Sequence, residues 1–119
     1  MSERVIGIDA GGTMTKAALF DAKGVELACE RRPNQMLFSG PGRTERDPDR
    51  MWIAACEAIR ALLESTGTKP GDIAGLSCTG YGSGLYVVDR EGNPLRPGIV
   101  STDSRAGALI GRWNQSGLS

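Results

Sequence analysis

The chain has 119 residues, with 14 Lys and Arg against 14 Asp and Glu, 39% hydrophobic and 5% aromatic residues, and 17 glycines. That length allows one modest domain, since single domains run to about 100–150 residues. The balanced charge and ordinary apolar content exclude the basic excess of a nucleic-acid binder and the composition of a disordered chain. Glycine stands at about twice its usual frequency of roughly 7%. Without a collagen-like period, that excess points to tight turns and to backbone that approaches a ligand closely.

In chain order, Val5-Ile6-Gly7-Ile8 is a short apolar run ending in Asp9 and a glycine turn, the pattern of a buried strand. Lys16 to Phe20 follows after a few residues, so the two segments are predicted to pair antiparallel around Ala10-Gly11-Gly12-Thr13-Met14. Asp21-Ala22-Lys23-Gly24 reads as a turn into a third strand, Val25 to about Arg31. Arg32 to Arg46 shows no clear period and is expected to be a long loop, a feature that tends to be functional or mobile.

Asp47-Pro48-Asp49 signals a helix start, with Asp47 as N-cap and Pro48 in the first helical position. Trp52, Ala55, Cys56, Ile59, Leu62 and Leu63 recur at helical spacing and predict the buried face, and Gly67 and Pro70 end the helix. The charges from Arg43 to Arg50 are expected on a solvated face plus the cap. Ile73 to Cys78 reads as a fourth strand, Leu85 to Asp89 as a fifth, and Gly98 to Ser101 as a sixth, followed by a helix over Arg105 to Trp113. Three meander strands, a helix and a returning strand describe an α/β layer with a mixed sheet, not the repeated βαβ of a dinucleotide fold.

The longest uncharged stretch, Ile73 to Val88, is rich in glycine and shorter than the ~20 apolar residues of a spanning helix. Met1-Ser2-Glu3-Arg4 leads directly into a strand pattern without a signal-peptide h-region, so a cytoplasmic chain is expected. Cys29, Cys56 and Cys78 are odd in number and lack metal-ligand spacing, and they read as reduced, small core residues.

The densest chemistry lies in Asp9-Ala10-Gly11-Gly12-Thr13-Met14-Thr15-Lys16. A carboxylate at a strand end, glycines that free backbone amides, two hydroxyls and a lysine suit a phosphate held with a divalent cation. The alternative is an ordinary hairpin whose glycines supply positive φ.

Ile6 to Thr13, followed by Lys16-Ala17-Ala18-Leu19-Phe20-Asp21 and Gly24, resembles the first phosphate motif of the actin-like, ribonuclease-H-like superfamily of ATPases and sugar kinases. Type II pantothenate kinases, ROK sugar kinases and activator ATPases share its Asp-x-Gly-Gly-Thr core. The second half is more specific. Ile73 to Gly84, then Leu85-Tyr86-Val87-Val88-Asp89, Gly92-Asn93-Pro94 and Thr102-Asp103-Ser104-Arg105, resembles the FGGY carbohydrate kinases. Glu45-Arg46-Asp47-Pro48 resembles that family's Glu-Gln-Asp-Pro helix entry, with Arg46 in place of Gln. Gly98 to Ala106 looks most like the L-xylulose and erythritol kinase branch, because Ser101 stands where common xylulose and glycerol kinases carry Trp.

The resemblance implies a ribonuclease-H-like (actin-like ATPase) α/β fold with a mixed sheet of β-β-β-α-β order. It makes residues 1–119 the N-terminal part of an incomplete first domain. It implies transfer of the ATP γ-phosphoryl group, with Mg²⁺, to a hydroxyl of a small ketose or polyol, with no nucleic acid or membrane involved and room for a homodimeric parent. It assigns Asp9 to the Mg²⁺ and phosphate site, Gly11, Gly12 and Thr13 to the phosphate loop, and Thr15 and Lys16 to the transferred phosphoryl group. Tyr81, Gly82 and Ser83 align with the sugar-contacting loop, Asp103 with a polyol-binding acid, and Arg105 is placed with them among the substrate-binding residues. Read from the residues alone, Tyr81 can instead pack on its loop, Asp103 can cap the last helix, and Arg105 can pair with Asp103 or a backbone carbonyl. The family's catalytic base and adenosine motifs lie in segments downstream of those present here, so the chain alone is expected to be inactive. The other readings are a pantothenate or ROK-type kinase and a non-catalytic nucleotide- or partner-binding module.

Overall fold

The computed structural model describes residues 3–118; Met1, Ser2 and Ser119, the outermost residues of the two terminal segments, lie outside the described residues. The chain divides into two compact units. The first takes the chain up to Gln35 together with Pro48–Gly82, and the second takes Met36–Asp47 with the chain from Ser83 on.

The first unit is a four-stranded sheet under one helix. Strands β1 (Arg4–Ala10), β2 (Met14–Asp21) and β3 (Glu26–Pro33) form the expected meander. After helix α1 (Pro48–Thr66), strand β6 (Ile73–Gly80) returns parallel to β1, giving the order β3-β2-β1-β6. Strand alternation places Ile6, Ala17 and Leu19 on one face, where they close a core with Ala58 and Leu62 of α1. Leu19 and Leu62 are fully buried, each contributing about 1.5–3 kcal/mol of apolar transfer. Gly67, in the left-handed region at φ 62°, ends α1.

Leu62 is buried and Ile59 and Leu63 pack against the core as predicted, but the contact line of the helix is shifted at its N-terminal end. Its buried residues are Ala54, Ala58 and Leu62, an i, i+4, i+8 stripe, whereas Trp52 is 72% exposed. Small Ala side chains let the helix backbone approach the sheet, and this moves the contact line away from the larger ring. The helix packs over β2 and β3 and only marginally over β1, and of β6 Ile73 reaches the core while Leu76–Gly80 is exposed. Consequently Cys78 is exposed, and Cys29 and Cys56 are half-buried free thiols, so none of the three is the core residue expected.

The second unit corrects the expected long loop. Arg32 ends within β3, and strands β4 (Leu37–Gly40) and β5 (Arg43–Arg46) form a hairpin extended by the two-residue β7 (Gly98–Ile99) into a β4-β5-β7 antiparallel sheet. The β-β-β-α-β order therefore holds for the larger sheet, with this hairpin inserted before α1. Glu45 and Arg46 are buried, against the expectation of a solvated charged face. Leu85–Asp89 is not a continuous strand. It makes only isolated bridges, Leu85 to Ile99 and Val88 to Pro94, because Pro94 and Pro97 have no N–H to donate to a ladder. The turn between them is built as expected, with Asp89 Oδ1 accepting from the amides of Glu91 and Asn93. These bonds, the Asn93 side-chain amide first, hold the Asp89 carboxyl below its ordinary pKa. Helix α2 spans Gly107–Gln115. Among the described residues no helix is long and apolar enough to cross a membrane.

Candidate functional site

Strand register assembles the first group of candidate residues. Asp9 pairs with Lys16 across β1 and β2, Lys16 with Arg31 across β2 and β3, and Asp9 with Thr79 across β1 and β6. Paired residues project from the same face, so Thr79, Asp9, Lys16 and Arg31 form one polar row across all four strands. By the same alternation this is the face opposite α1. The row lies in an open depression of about 470 Å³ that Ser77 and Cys29 also line. Arg31 was missed at the sequence level because its place beside Lys16 depends on the β2–β3 register.

The loop at the end of the row is held by short contacts. The Gly11 amide donates to the Met14 carbonyl at 2.9 Å, and a Cβ on Gly11 would lie 2.8 Å from that same oxygen. Neither Gly11 nor Gly12 has positive φ, so neither supplies the left-handed turn of an ordinary hairpin; Gly11 serves close approach, while a Cβ on Gly12 would meet the Tyr81 ring at an ordinary 3.5 Å. Tyr81 follows β6, donates its amide to the Ala10 carbonyl at 3.0 Å and sets its ring beside Gly12. Thr13 is exposed at the loop tip.

Thr15 is placed differently from its assigned role. It is 1% exposed, on the helix-facing side of β2 with Ala17 and Leu19, and its hydroxyl donates to Asn34 Oδ1 at 2.8 Å. A phosphoryl group on the Asp9–Lys16 face is therefore out of reach of this hydroxyl, which supports the loop from behind.

In the second unit, Asp103 and Arg105 form an internal clamp. Arg105 Nε and Nη2 donate to the two Asp103 carboxylate oxygens at 2.8 Å each, and Nη2 also reaches Glu45 Oε1 at 2.8 Å. The Asp103 carboxylate further accepts from the Arg105 amide at 3.0 Å and the Thr44 amide at 2.7 Å. Arg96 Nη2 adds a second cation to Glu45 at 3.0 Å. Hydrogen bonding from Arg105 holds both the Asp103 and Glu45 carboxyls below the ordinary carboxylate range, and the Asp103 and Glu45 carboxylates in turn raise the Arg105 pKa. Asp103 is thus neither a free acceptor for sugar hydroxyls nor a helix cap. Its side chain is 3% exposed with four N–H donors on two oxygens, and α2 begins at Gly107 after an Ala106 N-cap. Glu45, which joins the two arginines, was hidden in what reads as a charged surface run. Gly82 ends the first unit and Ser83 opens the second, with a left-handed φ of 61° that a non-glycine residue seldom adopts.

Residues 4–119 match the N-terminal domain of the FGGY family of carbohydrate kinases. A probable L-xylulose kinase of Pasteurella multocida is 38% identical over 113 residues, which is 95% of this chain and 23% of that protein. An L-xylulose/3-keto-L-gulonate kinase of Escherichia coli is 36% identical over 118 residues, 99% of this chain and 24% of that one. The crystal structure of a ligand-bound xylulose kinase from Lactobacillus acidophilus is similar with a TM-score of 0.87 at 25% identity, over 98% of this chain and 23% of that chain. The chain therefore spans about a quarter of the length of the relatives it matches. With its mixed sheet, its glycine loop and a match over nearly its whole length, the chain belongs to the FGGY family of carbohydrate kinases, within that family's N-terminal domain.

Proposed function

We propose that residues 1–119 are the N-terminal part of the first domain of a cytoplasmic, ATP-dependent carbohydrate kinase that phosphorylates a hydroxyl of a small ketose or polyol. The observation that carries this reading is the row of Thr79, Asp9, Lys16 and Arg31 beside the Gly11–Gly12 loop. Phosphoryl transfer needs positioned phosphates and neutralised charge more than covalent chemistry from the protein. Lys16 and Arg31 supply cations side by side, and Asp9 supplies the single carboxylate of the row.

Among the described residues no cluster of three or more His, Cys, Asp or Glu could hold a metal by itself. One carboxylate fits Mg²⁺, which is commonly held by one or two protein carboxylates together with substrate phosphates and water. Bound there, Mg²⁺ would neutralise phosphate charge. Gly11, Gly12 and Thr13 shape the loop that receives the phosphates, and Lys16 binds and orients them. Tyr81, Gly82 and Ser83 are the residues we assign to the sugar. Asp103 and Arg105 are assigned instead to holding their own unit together. The base that deprotonates the attacking hydroxyl is assigned to no residue of this chain.

Among substrates, L-xylulose leads because the relatives of Pasteurella multocida and Escherichia coli are named for it. The test is a coupled ADP-release assay of the intact polypeptide carrying this domain, run with L-xylulose, erythritol, D-xylulose, ribitol and glycerol. We expect sugar-dependent turnover, strongest with L-xylulose or erythritol, and none from the 119-residue chain alone. Turnover independent of every sugar, or full turnover by the short chain, would overturn the proposal.

A further inference from the structure

We propose that Asn34 is the positioning residue of the glycine loop, fixing the direction in which the loop's amides face a nucleotide phosphate; this rests on the kinase reading above. Asn34 directly follows β3 and bonds to three loop positions. Its backbone amide donates to the Thr13 carbonyl at 2.8 Å, its side-chain Nδ2 donates to the Gly11 carbonyl at 2.8 Å, and its Oδ1 accepts from the buried Thr15 hydroxyl at 2.8 Å. The orientation of the side-chain amide is dictated by chemistry. A carbonyl can only accept, so the NH₂ group must face Gly11, and the Thr15 hydroxyl then donates to the oxygen.

Two of these bonds turn peptide planes. In a trans peptide the C=O of one residue and the N–H of the next point in opposite directions, and none of the described peptides is cis. With the Gly11 and Thr13 carbonyls turned toward Asn34, the Gly12 and Met14 amides are turned away from it. Two amides pointing out of one tight loop make a concavity suited to an anion. Without the Nδ2 bond the Gly11–Gly12 peptide, flanked by glycines, is the plane in this loop most free to flip. A flip would present a carbonyl oxygen to the phosphate in place of a donor. The buried Thr15 hydroxyl keeps the Asn34 side chain in register, and this gives that residue a role compatible with its burial.

The test uses the intact polypeptide and the variants Asn34→Ala, Asn34→Asp, Thr15→Val and Thr15→Ser. Asn34→Asp keeps the acceptor for Thr15 but sets a carboxylate against the Gly11 carbonyl, whereas Thr15→Ser keeps the hydroxyl. Three quantities are read: deuterium uptake of the peptide covering residues 10–16, Mg·ATP affinity by titration, and KM for ATP and for sugar. We expect Asn34→Ala and Asn34→Asp to speed uptake and raise the ATP KM about tenfold, the effect of one well-placed hydrogen bond, with the sugar KM unchanged. Thr15→Val shares this behaviour in weaker form and Thr15→Ser restores the native values. Unchanged uptake and ATP KM in Asn34→Ala, or equal rises in both KM values, would overturn the assignment. Should Asn34→Ala fail to fold, Thr15→Val against Thr15→Ser carries the same comparison. A wild-type protein that binds no Mg·ATP defeats the kinase reading, and the uptake measurement then decides by itself whether Asn34 holds the loop.

Discussion

Replacing Gly11 and Gly12 separately by alanine distinguishes a loop built for close approach from one built for conformational freedom. A Cβ on Gly11 would sit 2.8 Å from the Met14 carbonyl oxygen, about 0.6 Å inside the 3.4 Å at which ordinary van der Waals contact begins. That oxygen is backbone and accepts the Gly11 amide at 2.9 Å, so relieving the clash moves the acceptor of the loop's own hydrogen bond. Weakening one net hydrogen bond costs about 0.5–1.5 kcal/mol, and forcing an extra methyl group into a filled space costs about 1–3 kcal/mol. Both costs arise from the same contact and do not simply add, so Gly11→Ala should lose about 1.5–3 kcal/mol. Gly12→Ala places its methyl 3.5 Å from the Tyr81 ring at an allowed φ, so its cost stays within about 0.5 kcal/mol. At roughly 3–6 °C per kcal/mol for a domain of this size, the two variants should differ in Tm by about 5–15 °C. Thermal unfolding followed by near-ultraviolet circular dichroism measures the gap. A Gly11→Ala protein melting within about 2 °C of the native chain, or a Gly12→Ala protein equally destabilised, would refute the reasoning.

Three further outcomes are expected. Leu62→Ala empties the middle of the core formed with Ile6, Ala17, Leu19 and Ala58 and should cost about 2–5 kcal/mol by urea unfolding, whereas Trp52→Ala, at an exposed position, should change stability by no more than about 0.5 kcal/mol. Asp9→Asn should leave the fold intact and lower kcat of the intact kinase about 10²-fold in the ADP-release assay, and a loss below about twofold would remove Asp9 from the phosphate site. Glu45 and Asp103 have carboxyls held below their unfolded values, so between the two pKa values the unfolded chain binds more protons and stability rises with pH. Their contribution is complete above the ordinary carboxylate pKa of about 4 and is lost as pH falls below it. In Arg105→Ala this acid-side dependence should flatten, as read from Tm between pH 2 and pH 6, and an unaltered profile would show that the clamp contributes nothing.

What could be read in advance follows the range of the interactions involved. The β1–β2 hairpin, the turn at Asp21, the start of α1 at Pro48 and its stop at Gly67 depend on neighbours within a few residues, and each is where the pattern predicts it. Asp9 and Lys16 were legible as partners because the hairpin between them is short. Arg31, Asn34 and Glu45 were not, since the first depends on the β2–β3 register and the others act on residues brought to them by the fold. The β4–β5 hairpin was hidden because Phe38, Ser39, Gly40, Pro41 and Gly42 show no alternating apolar pattern. The role of Gly84 was likewise hidden: it makes room for the Tyr86 ring, which a Cβ there would approach to 2.8 Å.

The Asp103–Arg105 pair shows why a motif and a role must be separated. The resemblance to FGGY kinases implies that Asp103 accepts from sugar hydroxyls, a role a carboxylate suits because it can bind two neighbouring hydroxyls at once. The two oxygens of Asp103 offer about four lone-pair sites, and Arg105 and the amides of Arg105 and Thr44 direct four N–H groups at them. A hydroxyl could enter only by displacing a charge-assisted bond from Arg105, an exchange of a stronger interaction for a weaker one. Glu45 opposes the exchange as well, because its bond to Arg105 Nη2 at 2.8 Å keeps the guanidinium from swinging aside to admit the hydroxyl. The Asp-x-Arg pair therefore has a geometric role that needs no ligand: residue 103 supplies the carboxylate, residue 105 the fork that saturates it, and the intervening Ser104 donates its amide to the Gly42 carbonyl at 2.8 Å, tying the segment to the β4–β5 turn.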